Sequence, residues 1–337
     1  MMLVRSVVAS DHAEILALAH EAGIGMTSLP EDSDVLEVKI KKAVASFAGN
    51  PEIKNDEHFL FVLEDTETKK LVGTAGVVSH VGLKHPFYSY KLSTIVQASD
   101  VVGVYSRQRV LHMVNDYTGA SEIGSLFLLP DYRHDGIGKF LSRCRYLLMA
   151  EFPELFSDIV ISEIRGVQDE NGEPPFYKNL AERFFQIDFR RADFVNATQG
   201  GQFISDLMPK YPIYVNLLGL QAQAVIGVPL EASKPALRLL ESEGFRHQGY
   251  IDVFDAGPTM QAERKQIRTI RKSKRAVVSE IRKLTNAKKI MIATTQLSDF
   301  RVGFVELQEN ANGVLIEPNV AEIMCLQVGD AVRYIEV

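Results

Sequence analysis

The sequence predicts an α+β protein, with a mixed central sheet flanked by helices and a small β-rich C-terminal domain. Three observations carry this reading. Short β-branched and aromatic runs alternate with segments whose apolar residues recur at helical spacing. Two of those runs, Phe59–Glu64 (FLFVLE) and Leu71–Val78 (LVGTAGVV), flank one polar turn and so form a hairpin. From residue 290 the chain alternates like small strands and ends in VGDAVRYIEV. At roughly 150 residues per domain, 337 residues suggest two domains. The expected boundary lies near 275, giving a core of residues 1–275 with an insertion at 166–224, then a domain of residues 276–337. With 46% hydrophobic and 24% charged residues, the chain can bury a core. Its 37 basic and 43 acidic residues leave a net charge of −6, which argues against a dedicated nucleic-acid binder.

Leu3–Val8 reads as the first strand. Asp11 is placed to cap a helix, with Glu14 completing a capping box, and Ile15, Leu18, Ala19 and Ala22 share one face. Gly23 and Gly25 end that helix, and a polar turn (MTSLPED) follows. Val35–Phe47 is a second helix whose apolar face is Leu36, Ile40, Ala43, Val44 and Phe47. After the hairpin, residues 80–119 read as a long connection. Ile123–Leu129 is a strand closed by Pro130. Ile137, Phe140, Leu141, Cys144, Leu147 and Leu148 then mark a strongly amphipathic helix, and Ile159–Ile164 is a strand.

The insertion is rich in aromatics and holds a helix around 175–188. Residues 211–230 are uncharged, but Pro212, Asn216, Gln221, Gln223 and Pro229 suit a membrane span poorly. They read as buried strand and loop. Pro235–Glu243 is a helix stopped by Gly244, Gly249–Phe254 is a strand, and residues 260–289 are basic and partly helical. Cys144 and Cys325 are too few for a disulfide framework or a zinc cluster and read as small core residues. Arg5 and Asp11 break the N-terminal apolar run, so no signal peptide is expected. The expectation is a cytoplasmic protein with no membrane partner.

The segment Arg133-His134-Asp135-Gly136-Ile137-Gly138 lies between a strand and the amphipathic helix. Free amides and the helix dipole at such a turn attract phosphate. Gly136 and Gly138 let the backbone approach a pyrophosphate, and Arg133 adds positive charge. A plain strand-to-helix turn is the alternative. His134 inside the turn could touch a phosphate or face water.

The order of elements resembles the GNAT acyltransferase superfamily. Blocks such as VGTAGV, GSLFLLPDYRHDGIGKF, SEIRGVQDENGEPPFY, DLMPKYPIY and GYIDVFDAGPT are similar to the arginine N-succinyltransferase family, in the same order over nearly the whole chain. The resemblance implies a GNAT-like core that moves a succinyl group from succinyl-CoA to the α-amine of arginine, or of ornithine in some members. Succinyl-CoA would be a cosubstrate, with no permanently bound cofactor and no metal. The glycine turn would hold the coenzyme A pyrophosphate. Amides near Leu126 and Phe127 would polarise the thioester carbonyl, and the family's succinyl-CoA contact falls on Leu126. The family's proton-donor histidine falls on Leu230, which cannot transfer a proton. Oligomers of identical or paralogous subunits are also implied.

Other side chains are candidates by chemistry. Glu122, just before the central strand, could accept the amine proton, directly or through water, or be a solvated strand-end acid. Arg165 could meet a substrate carboxylate, and Glu31, Asp32 or Asp116 a guanidinium. His247 is the histidine nearest in sequence to the altered segment and reads as an exposed strand-edge residue. The basic run from Arg264 to Lys289 could serve RNA or the coenzyme A 3′-phosphate, but reads better as a solvated linker. Three rivals to the leading function stand: a catalytically weak or regulatory subunit of a heteromeric succinyltransferase, an acyltransferase for ornithine or another basic amino acid, and a nucleic-acid-binding protein that uses the basic run.

Overall fold

The computed structural model describes residues 1–23, 26, 28–285 and 287–336; Gly25, expected to help end the first helix, lies outside them. In chain order the elements are β1 (Met2–Ser6), α1 (His12–Ala22), α2 (Ser33–Phe47), β2 (His58–Asp65), β3 (Lys70–Val78), β4 (Ser89–Ser99), β5 (Val104–Val114), β6 (Ser121–Leu128), α3 (Ile137–Glu151) and β7 (Ile159–Glu163). Then come α4 (Pro175–Asn179), α5 (Glu182–Phe185), α6 (Phe189–Gln199), α7 (Gln202–Leu207), β8 (Ile213–Tyr214), α8 (Leu220–Val225), α9 (Lys234–Glu243), β9 (Arg246–Asp252) and β10 (Pro258–Glu263). The chain closes with α10 (Arg268–Lys272), β11 (Lys274–Ile281), β12 (Lys288–Thr294), β13 (Arg301–Asn310), β14 (Gly313–Ile316), α11 (Pro318–Met324) and β15 (Ala331–Glu336). Helices and strands are mixed, and no helix among the described residues is long and apolar enough to cross a membrane.

The chain forms two compact units. The first comprises Met1–Ser79, Ser121–Asp158 and Glu263–Val337, and the second His80–Ala120 and Ile159–Ala262. In the first unit, strands run in the order β13-β1-β2-β3-β6, each pair antiparallel. The last five strands close on themselves. β12 pairs with β13 and β15, β15 with β11, β11 with β14, and β14 with β13. A ring of this kind leaves no free edge. The first face of the sheet carries α1 and α2, which bury Ile15, Leu18, Leu36 and Ile40 against Leu60 and Val62.

Helix α3 is buried on all sides from Phe140 to Met149, not along one stripe. It packs on β1, β3 and β6 and also meets α10, β12 and β15 of the C-terminal segment. Arg145 is buried with it. Its Nε donates to the Ser142 carbonyl, its Nη2 to Ser142 Oγ (2.8 Å) and its Nη1 to the Gly124 carbonyl (3.4 Å). Such partners are what make a buried cation tolerable.

In the second unit the strand order is β7-β10-β9-β4-β5-β8. The short helices α4 to α8 bring Phe176, Tyr177, Phe185, Phe189 and Ile204 onto Tyr90, Ile251 and Phe254.

Several expectations change. Asp11 does not cap α1 with its side chain; its carboxylate accepts from Arg5 (2.8 and 3.0 Å) and from the Val8 N–H. Glu14 accepts the Leu71 N–H instead of closing a capping box. Val44 is exposed, and Ser46 takes its place on the buried face of α2. Residues 80–119 hold the β4–β5 hairpin, not a bare connection. Its outer part is exposed on both faces, so no apolar stripe marked it. The helix expected at 175–188 is broken at Leu180, whose φ is −125° and ψ −77°. Residues 211–230 contain α8 and expose Leu217 and Leu220. The basic segment 260–289 is helical in part, as expected, at Arg264–Gln266 and in α10, and also contributes to β10, β11 and β12. Residues 290–337 include a helix, α11. Cys144 is buried as expected, but Cys325 is exposed.

Candidate active site

Strand β6 carries a bulge at the place where the glycine pattern of β3 allows it. The register runs from Thr74↔Phe127 to Gly76↔Gly124, so Ser125 and Leu126 oppose Ala75 alone. Ser125 sits at φ +50°, a left-handed conformation that a side chain rarely adopts. Three hydrogen bonds fix it there. Its N–H donates to Ser28 Oγ (2.9 Å), its Oγ to the Ser28 carbonyl (3.0 Å), and its carbonyl accepts from Thr74 Oγ1 (2.8 Å). A Cβ on Gly73 would stand 2.6 Å from the Phe127 carbonyl, and one on Gly76 3.0 Å from Ser125 Oγ. The two glycines of VGTAGV therefore let the strands close around the bulge. Leu126 is half-buried and Phe127 buried. Glu122 lies within β6, opposite Val78, not before the strand.

The chain leaves β6 through Pro130 and enters the glycine turn. Asp135 (φ +48°) and Gly136 (φ +80°) are both left-handed, and Gly136 is the N-cap of α3. Nothing lies within 4 Å of a Cβ built on Gly136, and one on Gly138 would meet only Leu128, at 3.8 Å. The turn is thus open in front of the helix. The first turn of α3 holds no acid, so its dipole is uncompensated from within the helix. Arg133 folds back, with Nε donating to the Leu128 carbonyl (2.8 Å) and its guanidinium 5.9 Å from the Phe127 ring centre. His134 pairs with Asp135 at 2.9 Å, and both side chains are largely exposed.

The second unit brings Arg165 and Leu230 together. The Leu230 N–H donates to the Arg165 carbonyl (2.8 Å), and Gly166 bridges to Pro229. Asp255 locks this junction. Its two oxygens accept the N–H groups of Gly166 and Gly257, each at 2.7 Å. A Cβ on Gly166 would fall 2.3 Å from the Asp255 carbonyl, and one on Gly257 2.0 Å from that of Ile164. The Gly227 N–H donates to the Ala256 carbonyl. Burial, with the neighbouring Asp252, pushes the Asp255 carboxyl up to about 8 against the pull of its two amide bonds and of Arg165. Burial pulls the Arg165 guanidinium down, with Asp255 and Asp193 opposing.

The remaining candidates are engaged locally. Asp32 caps α2, accepting from the N–H groups of Asp34 and Val35. Glu31 stands 3.9 Å from His20, and Asp116 accepts from the Tyr250 hydroxyl (2.8 Å). His247 bonds the Tyr250 carbonyl at 2.9 Å, and its Cε1 stands 3.6 Å from a Cβ built on Gly227, so it borders the segment that carries Leu230. In the basic run, Arg275 pairs with Glu151, Lys274 with Glu309 and Lys288 with Glu336. No cluster of three or more potential metal ligands occurs among the described residues. Sequence reasoning missed Ser28, Thr74, Ser125 and Asp255. The glycines of VGTAGV and DAGP were the only local signal, because they mark where backbones must touch.

Comparison with known proteins bears on this geometry. Residues 2–269 match the family model described as arginine N-succinyltransferase beta subunit, and residues 274–336 match that of its C-terminal domain. A protein named arginine N-succinyltransferase from Yersinia enterocolitica is 39% identical over 337 residues, covering 99% of this chain and 97% of its own. One of the same name from Escherichia coli O6:K15:H31 is 39% identical over 336 residues, with the same coverage. The solved structure of arginine/ornithine succinyltransferase subunit AI from Pseudomonas aeruginosa is 33% identical and superposes with a TM-score of 0.89, covering 100% of this chain and 98% of that one.

Proposed function

The chain belongs to the arginine N-succinyltransferase family, and from that premise we propose that it moves the succinyl group of succinyl-CoA onto the α-amine of arginine, giving N2-succinylarginine and coenzyme A. The observation that carries this reading is the likeness over the whole length, which includes both the bulged β6 and the glycine turn. We read the core as GNAT-like and residues 276–337 as a C-terminal β domain, with residues 166–224 inserted in the core. The closed five-stranded ring and the separate family model for residues 274–336 support that division.

The reaction forms one bond and breaks one. The neutral amine attacks the thioester carbonyl, the carbon–sulfur bond breaks, and the thiolate leaves. The bulge takes Leu126 out of the ladder with β3, and its amide with that of Phe127 would polarise the carbonyl. The amides of Gly136 and Gly138 and the dipole of α3 would hold the diphosphate, with Arg133 at its side. Glu122 would draw the proton from the amine. Arg165 would meet a carboxylate. Succinyl-CoA and arginine are substrates here, and no resident cofactor is invoked. The enzyme would serve arginine catabolism in the cytoplasm.

Leu230 cannot protonate the departing sulfur. A thiolate whose acid has a pKa of about 8.5 leaves without that help, so turnover persists at a reduced rate. General acid assistance is worth about 10²–10⁴-fold. Leu230→His should raise kcat within that range at unchanged KM for succinyl-CoA. The deciding experiment measures coenzyme A release from succinyl-CoA by the purified chain with arginine, with ornithine and with no acceptor. Release that depends on arginine is expected. Binding of succinyl-CoA without acceptor-dependent release, even in Leu230→His, would overturn the reading.

A further inference from the structure

The chemistry above makes no use of Arg145, a cation that is 2% exposed. It sits about two turns into α3, the helix that opens at the glycine turn. Its three hydrogen bonds all go to uncharged oxygens. Two of them, to the Ser142 carbonyl and hydroxyl, stay within its own helix. The third crosses to the sheet, where Nη1 donates to the Gly124 carbonyl. Among the described residues no carboxylate stands within ion-pair distance of it. Elsewhere in the same unit Arg5 meets Asp11 and Glu64, Arg264 meets Asp158, and Arg333 meets Glu151. Hydrogen bonds make the burial of Arg145 tolerable, but a charge kept from water without a counter-charge is costly.

The place where this charge leaves its helix is specific. Gly124 is the last residue of β6 in register before the bulge, and its peptide carries the N–H of the left-handed Ser125. Leu126 and Phe127 follow directly. In the proposed reaction, negative charge grows at these two amides. As the amine nitrogen bonds to the carbonyl carbon, an electron pair moves onto the carbonyl oxygen. As the carbon–sulfur bond breaks, that charge leaves on the thiolate, and the amine proton goes to a base. Leu230 offers no proton to the sulfur. A fixed cation in a water-poor interior acts on such charge beyond direct contact, because the dielectric is low, and it needs no reorganisation when the charge appears.

We propose that Arg145 acts on succinyl transfer through its charge: seated against the Gly124 carbonyl, it stabilises the negative charge that develops on the thioester oxygen and then on the sulfur. It is a positioning residue, because it works through the peptide that opens the bulge and not by touching the substrate. The proposal rests on the succinyl-transfer reading and adds to it a cation on the far side of the bulge.

Arg145→Gln and Arg145→Lys test it together, since each keeps an N–H donor for the Gly124 carbonyl and the lysine alone keeps the charge. Arg145→Gln should lower kcat about 10- to 100-fold, less than the 10²–10³-fold cost of deleting a direct oxyanion donor. The KM for succinyl-CoA should stay unchanged, as for an interaction made in the transition state. Arg145→Lys should recover most of the loss. Bound coenzyme A gives a reading without turnover. Near the ordinary thiol pKa of about 8.5, the ultraviolet difference spectrum on binding should show a larger thiolate fraction on the wild type than on Arg145→Gln. Losses of the same size in both variants, including failure of both to fold, would make Arg145 a brace for the bulge and overturn the proposal. An unchanged kcat in Arg145→Gln, a loss carried by KM, or equal thiolate fractions overturns it too, and each leaves succinyl transfer standing. A wild type that binds coenzyme A but releases none from succinyl-CoA with arginine or ornithine overturns the transfer reading instead, and the thiolate comparison then decides Arg145. No binding of coenzyme A at all overturns both.

Discussion

Ser125 is a side-chain-bearing residue in a conformation that costs about 1–2 kcal/mol relative to an ordinary strand position. It stays there because Ser28 and Thr74 engage its N–H, hydroxyl and carbonyl. Ser28→Ala removes the acceptor of the Ser125 N–H and leaves a partly buried donor unmatched, at about 1–3 kcal/mol. The expected result is a lower thermal midpoint together with a raised KM for succinyl-CoA, read by calorimetry and initial rates. Ser125→Gly in the Ser28→Ala chain should restore part of both, since glycine adopts positive φ without strain. A loss of stability with no change in KM would make Ser28 merely structural. None of this was legible locally, because Ser28 and Ser125 are 97 residues apart and neither belongs to a periodic pattern.

At the scale of elements, α3 shows how a correct helix can still be misjudged in its surroundings. Ile137, Phe140, Leu141, Cys144, Leu147 and Leu148 fixed the helix and its sheet-facing side. Arg143 and Arg145 are buried as well, so the enclosure of α3 extends beyond the apolar stripe that marked it. The N-terminus of α3 depends on one backbone angle. Gly136→Ala would place a Cβ at φ +80° and cost about 1–2 kcal/mol. Titration calorimetry should then show weaker binding of coenzyme A, and wild-type affinity would argue against a diphosphate at this turn. Gly166→Ala tests the other junction. Its Cβ would fall 2.3 Å from the Asp255 carbonyl, so the backbone must move and Arg165 and Leu230 with it. A large drop in thermal midpoint is expected. The β4–β5 hairpin escaped notice for the opposite reason to α3, since strands exposed on two faces bury no stripe to betray their period.

For the whole molecule, His58 and Asp255 are buried groups that make stability depend on pH. Burial lowers His58 to about 3, aided by Lys39 and Lys42. The unfolded chain binds that proton near pH 6.5, so the stabilisation is present above that pH and is lost as pH falls toward 3. Asp255 acts in the other direction. Its folded value of about 8 means that the folded state holds a proton the unfolded state releases near pH 4, so stability declines as pH rises from there to about 8. Scanning calorimetry across pH 4–9 should find Asp255→Asn flattening the decline between neutral pH and 8. His58→Phe should flatten the acid limb. An alkaline slope unchanged in Asp255→Asn would show that Asp255 is ionised in the folded protein at neutral pH.

The sequence by itself determined the family, through blocks such as GYIDVFDAGPT, and the segments whose apolar pattern is local, namely α2, the β2–β3 hairpin, α3 and α9. Helical spacing and strand alternation record which face of a segment leaves water, and that record lies within a dozen residues. Only the tertiary structure decided the bulge at Ser125, the Asp255 lock on Arg165 and Leu230, the closed C-terminal ring, and the enclosure of α3. Each of these is made where segments distant in the chain come together, and of that the linear pattern records only the glycines of VGTAGV and DAGP, which mark close approach without naming the partner.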